Sequence, residues 1–417
     1  MPTAYNATLP YNSSVTYYGA TAADKPVVMV EIDTKSTNFT LTEGQTLIGS
    51  LNYNSGNFYD SGFSYAGDTP FVDITSSVRN IEITRGRSSL TYDHFDAGTC
   101  VIELADFDSS FLPGNTASPH YPHVTAMRPV RISATWSGAI TRLYRGYVDR
   151  WDISWEPRQS YADVRITATD LTKVLNKLDT EVAGADGDSP KTRIDAMLDV
   201  HNIPQDFRVL DTGTVTLLED TIERRPLWGT LQDIETAESG ALFIDGQGRI
   251  VFHDRTDASP TGTGTIITDA TSSAVTYSAV DVAIDDEQLY NFVSVTIAGI
   301  GTEQTAGDTT SEEQFQRRSL ILTDVLLETD AQALSLAQHL LATRKTPALR
   351  VEAVTIPTLV STYNAQAVTQ LDLLDPITVV RSAPSYTSTT ALFIVGVRHS
   401  ITPTSWETTL TTQNQSV

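Results

Sequence analysis

Val130-Arg131-Ile132-Ser133-Ala134-Thr135-Trp136 places apolar side chains at 130, 132, 134 and 136 and polar ones at 131, 133 and 135. That period of two is the mark of a strand with one face buried. Working outward, Ala162, Val164, Ile166 and Ala168 repeat the alternation, as do Val293, Val295 and Ile297, and later Phe393, Val395 and Val397. Val, Ile and Thr dominate these runs, which suits a pleated, half-buried surface. Pro113-Gly114-Asn115, Ser137-Gly138 and Gly299 punctuate them as turns. The expected fold class is mainly β (α+β).

Four segments carry a helical pattern. Asp170 stands ready to cap Leu171, Val174, Leu175 and Leu178, and Ser189-Pro190 opens a stripe of Ile194, Met197 and Leu198. Leu227, Leu231 and Ile234 follow Pro226, with Gly240 as the expected stop. Asp330 is the expected cap of Ala331, Leu334, Ala337 and Leu341, a helix that must end before Pro347. Between the second pair, Ala241 to Ile244 and Arg249 to Phe252 flank Asp245-Gly246-Gln247-Gly248, a β-hairpin with a glycine-rich turn. Residues 179–260 therefore read as a small α/β unit between two strand-rich blocks. Residues 256–280, rich in Thr, Ser and Gly, read as a surface excursion or linker.

Charge sharpens the division. The 417-residue chain carries a formal net charge of −23. Residues 71–178 balance 12 Lys and Arg against 12 Asp and Glu, whereas residues 179–290 hold 7 against 22. A boundary near residue 178 follows. Four segments are expected: 1–70, a strand-rich N-terminal extension; 71–178, a first β domain; 179–288, a small acidic α/β domain with its linker; and 289–417, a second β domain with one helix. So acidic a chain does not fit a nucleic-acid binder that works by neutralising phosphates, nor docking on an anionic membrane. Cys100 is the only cysteine, which excludes an intrachain disulfide or a multi-cysteine zinc site. No apolar run reaches 18 residues, and Met1 to Val15 lack the pattern of a secretory signal, so a reducing cytoplasm is the expected site of synthesis.

No catalytic, cofactor-binding or metal-ligating residue stands out. Gly299-Ile300-Gly301 lacks the third glycine of a dinucleotide fingerprint. His120 and His123 sit in a proline-flanked loop and read as solvated. Asp106 and Asp108 lack the glycine and the closing glutamate of a calcium loop. Asp285-Asp286 and Glu312-Glu313 are neighbours, which on a strand point to opposite faces, and they read as charged loops rather than a glycosidase pair. Cys100 alternates with Ile102 and Leu104 and reads as a small buried hydrophobe. Trp151 and Trp155, four apart, read as core, with stacking on a sugar as the other use of that spacing.

Three stretches taken together resemble the minor tail proteins of long-tailed bacteriophages that form the tail-tip or baseplate hub. The first comprises V-R-N-I-E-I-T-R-G-R (78–87), A-G-T-C-V-I-E-L-A-D-F-D-S-S-F-L-P-G-N (97–115), S-P-H-Y-P-H-V (118–124), M-R-P-V-R-I (127–132) and Y-R-G-Y-V-D-R-W (144–151). The second runs from Ser319 to Ile356 and includes D-A-Q at 330–332. The third joins L-D-L-L-D-P-I-T-V-V (371–380) to F-I-V-G-V-R-H-S-I-T-P-T-S-W-E-T-T-L (393–410). The resemblance implies two tail-tube-like β-barrel domains per chain with the α/β domain between them. It implies a structural, non-enzymatic virion protein without cofactors, made in the host bacterial cytoplasm. It implies a homotrimer adapting a sixfold tail tube to threefold symmetry, with the distal tail protein or a tube ring above and tail-tip or receptor-binding proteins below. DNA would pass through such a hub without specific binding, and this chain would not insert into a membrane. Arg128, Arg131, Arg142, Arg145 and Arg150 are then expected at subunit interfaces or on the outer wall, or else paired within their own domain. A hexameric distal tail adaptor, and a glycan-binding or glycan-cleaving tail protein using Trp151 and Trp155, are the alternatives.

Overall fold

The structure, a computed structural model, describes residues 25–35, 71–87, 94–157, 159–221, 224–270, 274–284, 286–299, 301–347, 350–383 and 386–415. Of the N-terminal extension, 25–35 fall within it. The fold is mainly β, as the alternation requires.

The first half contributes strands β1 Val27–Asp33, β2 Phe71–Asp73, β3 Val78–Gly86, β4 Asp96–Asp106, β5 Pro129–Trp136, β6 Ala139–Ser154 and β7 Ala162–Thr169. Then come α1 Thr172–Leu175, α2 Pro190–Val200, β8 Arg208–Leu210, α3 Leu227–Glu238, β9 Ala241–Ile244 and β10 Ile250–His253. Residues 256–280, which read as a surface excursion or linker, instead supply β11 Thr265–Thr268, β12 Val275–Thr276 and the start of β13 Ala279–Ala283. The remainder is β14 Phe292–Ile297, β15 Gln304–Gly307, α4 Thr309–Phe315, β16 Ser319–Val325, α5 Asp330–Arg344, β17 Arg350–Pro357, α6 Thr362–Gln370, β18 Pro376–Ala383, β19 Tyr386–Ile401 and β20 Trp406–Asn414.

One 14-stranded sheet holds most of these strands, in the order β12-β11-β18-β19-β3-β4-β7-β6-β5-β1-β2, with β20 joining β19 to β17 and β13 beyond β17. The two strand-rich blocks therefore meet by direct antiparallel pairing of β3 with β19. Part of the N-terminal extension is built into this sheet, since β1 pairs with both β5 and β2.

Two small sheets, β8-β10-β9 and β15-β14-β16, form the rest. The β9–β10 hairpin ties them to the large sheet. Its Ala241, Phe243 and Val251 enter the core of the large sheet, while Leu242, Ile244, Ile250 and Phe252 enter a second core with α2, α3, β14 and α5. Burial on both faces explains why these strands are continuous apolar runs rather than alternating ones. Its turn packs against β6 so closely that a Cβ on Gly246 would lie 2.5 Å from the Arg142 carbonyl oxygen.

The helix ends follow local chemistry. Ser189 caps α2 by accepting from the Thr192 N–H. The N-cap of α5 is Thr329, one residue before the expected Asp330, in a reciprocal capping box with Gln332. Ser239, not Gly240, takes the left-handed position closing α3, with φ 55°.

Candidate functional site

Register decides which side chains share a face. In the antiparallel series β6-β7-β4-β3-β19-β20-β17-β13, one face carries Ile166, Ile102, Cys100, Ile81, Ile83, His399, Thr408 and Val354, all buried. The residues between them form the opposite face. It runs from Arg150 and Asp152 on β6 through Arg165 and Thr167, Glu103 and Val101, Glu82 and Thr84, Arg398 and Ser400, and Glu407 and Thr409 to Thr355 and then Ala279 and Asp281. The β3–β19 pairing makes this one uninterrupted polar surface across both halves.

Its cations are matched. Arg165 lies 3.2 Å from Glu103, Arg398 2.9 Å from Glu82 and Arg150 2.7 Å from Asp152. Arg79, at one end of β3, reaches Asp163 at 3.2 Å. Glu407 and Asp281 add negative charge, and the remaining positions are mostly threonine. These exposed pairs contribute little to stability. Their effect is on potential: the surface is neutral to negative and offers no cluster of uncompensated arginines.

The series ends at two strand edges. β5 covers β6 only as far as Tyr147, and β13 pairs with β17 alone. Among the described residues, neither 150–154 of β6 nor the outer edge of β13 has a further strand partner. Beside the second edge Val282 and Ile284 are 52% and 69% exposed.

Of the residues singled out from the sequence, His120, Asp106, Asp108 and Trp151 meet around Phe111. His120 is buried, not solvated: its ring stacks on Phe111 at 5.1 Å and its Nδ1 lies 3.1 Å from the Thr34 hydroxyl. Burial pulls its pKa below the usual histidine value, against the opposing pull of Asp108 and Asp106. His123 is half-buried beside it and contacts the chain through its backbone N–H to the His120 carbonyl, 2.7 Å. Asp106 accepts from the N–H groups of Ser110 and Phe111, and Asp108 from that of Ser110, so the two carboxylates hold a turn. Cys100 is fully buried, and burial pushes its thiol pKa up. Trp151 stacks on Phe111 and donates from Nε1 to the Thr125 carbonyl at 2.9 Å, whereas Trp155 lies past the end of β6, 62% exposed. Asp286 pairs with Arg318; Glu312, on helix α4 rather than in a loop, pairs with Arg317 beyond the helix end; and Asp285 lies outside the described residues. Arg131 is buried and forks onto Glu31 at 2.7 and 2.9 Å, and Arg145 lies over the Phe207 ring.

Sequence spacing gave no sign of one further group. Asp211, His253 and Asp257 bring ligand-type atoms within 4.8 Å of one another, and His253 Nδ1 is 2.8 Å from Asp211. Asp257 is exposed, and Asp211 also accepts from the Asp254 N–H, so a hydrogen-bonded turn accounts for the arrangement.

The fold, a large and mostly antiparallel sheet with one polar face carried by two β blocks around an α/β unit, is similar to that of solved phage tail proteins. The solved tail protein from Neisseria meningitidis MC58 matches with a TM-score of 0.57 over 81% of this chain and 92% of its own, at 13% identity. The 43 kDa tail protein of prophage MuSo2 from Shewanella oneidensis matches with a TM-score of 0.56, over 83% and 96%, again at 13% identity. A chain of the Francisella PdpA-VgrG complex matches at 0.50 over 94% of this chain and 58% of its own, at 10% identity. No protein-family model matches the sequence, and no curated protein matches it either. At this identity the likeness is one of fold, and this chain has the fold of those tail proteins.

Proposed function

We propose that this chain is a structural, non-catalytic component of a phage tail, and specifically a hub at the tail tip. Three copies close into a ring, each contributing two tail-tube-like β domains, and the ring adapts a sixfold tube to threefold symmetry. The observation that carries this is the continuous polar face from β6 to β13. In the ring it lines the DNA exit channel, where paired arginines and excess carboxylates let phosphates pass without the counterion release that drives retention. The two open edges, at 150–154 and on β13, are the surfaces a second copy covers, since an unpaired edge left in solvent templates uncontrolled association. The acidic α/β unit, together with the β14–β16 sheet and α5 that share its core, stands on the outer side. A tube ring or distal tail protein above and tail-tip or receptor-binding proteins below complete the assembly, and the site of action is the virion.

Image reconstruction of the assembled particle tests this. The expected map places Thr409, Glu82 and Arg165 on the lumen wall. A lumen lined instead by the helices of the α/β domain overturns the proposal.

A further inference from the structure

We propose that the cleft between the β5–β6 hairpin and helix α6 binds a single uncharged sugar ring. It is a cavity of about 200 Å³ whose polar and aromatic lining comes from Trp136, Ser137 and Thr141 on one side and Gln366, Thr369 and Gln370 on the other. Register explains the first side. Trp136 is paired with Ala139 across the Ser137-Gly138 turn, and Ala134 with Thr141, so Trp136 and Thr141 stand on one face of the hairpin. The turn itself requires positive φ at both central residues, 48° and 82°, which fixes the hairpin end and with it the indole. Helical spacing explains the second side: Gln366 and Gln370 are one turn apart, and Tyr363, 45% exposed, continues the same face.

The chemistry of the lining selects the ligand. Among the described residues the side chains of Trp136, Thr141, Gln366 and Gln370 make no hydrogen bond, although the Thr369 hydroxyl is occupied by the Ala365 carbonyl. One indole, a hydroxyl and two carboxamides therefore line one small space without a hydrogen-bond partner in the protein. Among the described residues none that lines it is charged, so phosphates, uronic acids and cationic ligands find no counter-charge there. A pyranose offers hydroxyls that both donate and accept, and a C–H face that packs on an aromatic ring; the amphipathic indole meets both needs. Trp136 is then the tryptophan that lines a cleft, whereas Trp151 packs on Phe111 and Trp155 lies exposed past the end of β6. Binding here does not depend on ring closure, so the two proposals fail separately.

Saturation-transfer NMR on the full chain with glucose, galactose and N-acetylglucosamine tests the site. At least one of these is expected to bind in the millimolar range, weakened about tenfold or more by Trp136→Ala and unaffected by Trp155→Ala. Thermal melting identifies any misfolding of Trp136→Ala, in which case Gln370→Ala, on an exposed helix face, carries the test and weakens binding several-fold. Absence of transfer for all three sugars overturns the proposal. So does transfer that survives Trp136→Ala in a folded protein, or binding of a proline-rich peptide that outcompetes the sugars.

Discussion

Gly86 and Gly396 face each other where β3 pairs with β19, and a Cβ on either would strike backbone. On Gly86 it would lie 2.4 Å from the Val395 carbonyl oxygen, and on Gly396 2.2 Å from that of Arg87. Gly86 also sits at φ +84°, which a side chain resists. The two halves thus join through a backbone contact that tolerates no side chain. Gly86→Ala and Gly396→Ala are each expected to lower stability by about 2 kcal/mol or more, measured by denaturant unfolding. A loss under 0.5 kcal/mol for both would show that the junction has slack.

Arg131 and Glu31 link the N-terminal strand to β5, with side chains 6% and 14% exposed. Removing one partner of such a pair leaves a buried charge and costs about 3 kcal/mol or more. Glu31→Ala should show that loss, and the double variant Glu31→Ala with Arg131→Leu should recover part of it.

Asp170 is fully buried, and burial raises its pKa to about 6 against the pull of hydrogen bonds from Thr172 and the Gly98 N–H. An acid raised in this way supports the fold fully below its ordinary value near 3.8, and that support is lost as pH rises through 6. The gap of about two pKa units corresponds to roughly 3 kcal/mol. Stability measured from pH 4 to 7 should therefore move in favour of Asp170→Asn relative to wild type as pH rises; parallel curves would contradict it.

His399 has the opposite sign. Burial first, and Arg85 second, lower its pKa to about 3. Its Nδ1 lies 2.9 Å from the Thr408 hydroxyl and 3.4 Å from Trp406 Nε1, whose N–H it accepts, so the neutral ring is the one that fits. Its contribution is complete above about 6.5 and is lost as pH falls toward 3, at about 1.4 kcal/mol per unit within that window. His399→Gln, which keeps an acceptor, should flatten the acid limb of the stability profile.

How far the sequence could be read depends on burial geometry. Strand β7 is legible because it alternates over eight residues with one face in the core, and β5 because its sequence alternates, although Arg131 and Ser133 on its other face are buried as well. The β9–β10 hairpin is legible from its apolar runs and glycine turn. Strand β11 is not, because in Thr265–Thr268 only Ile267 and Thr268 are buried and the flanks are Gly and Thr; its partner, β18, lies more than a hundred residues away. Helix α6 escapes for a similar reason: its buried side is Ala365, Ala367 and Val368, too small to draw an apolar stripe. His120 is misread because the Phe111 ring that buries it lies across a loop, where spacing carries no signal. The polar face is present in the sequence as the off-beat of every alternation, but only register shows that the off-beats of eight strands adjoin.

Cys100 reports on the fold without entering any chemistry. Its buried thiol should resist alkylation in the native protein and react once the chain is unfolded. Cys100→Ser should cost about 1–3 kcal/mol, since the hydroxyl enters an apolar cluster. Rapid native labelling would contradict the burial.

Native mass spectrometry of the purified full-length chain tests the ring most directly. The expected result is a closed assembly of three copies, because two β domains from each are needed to face a sixfold tube. A hexamer would contradict it and favour the distal tail adaptor; a chain that stays monomeric with both strand edges open would contradict it outright.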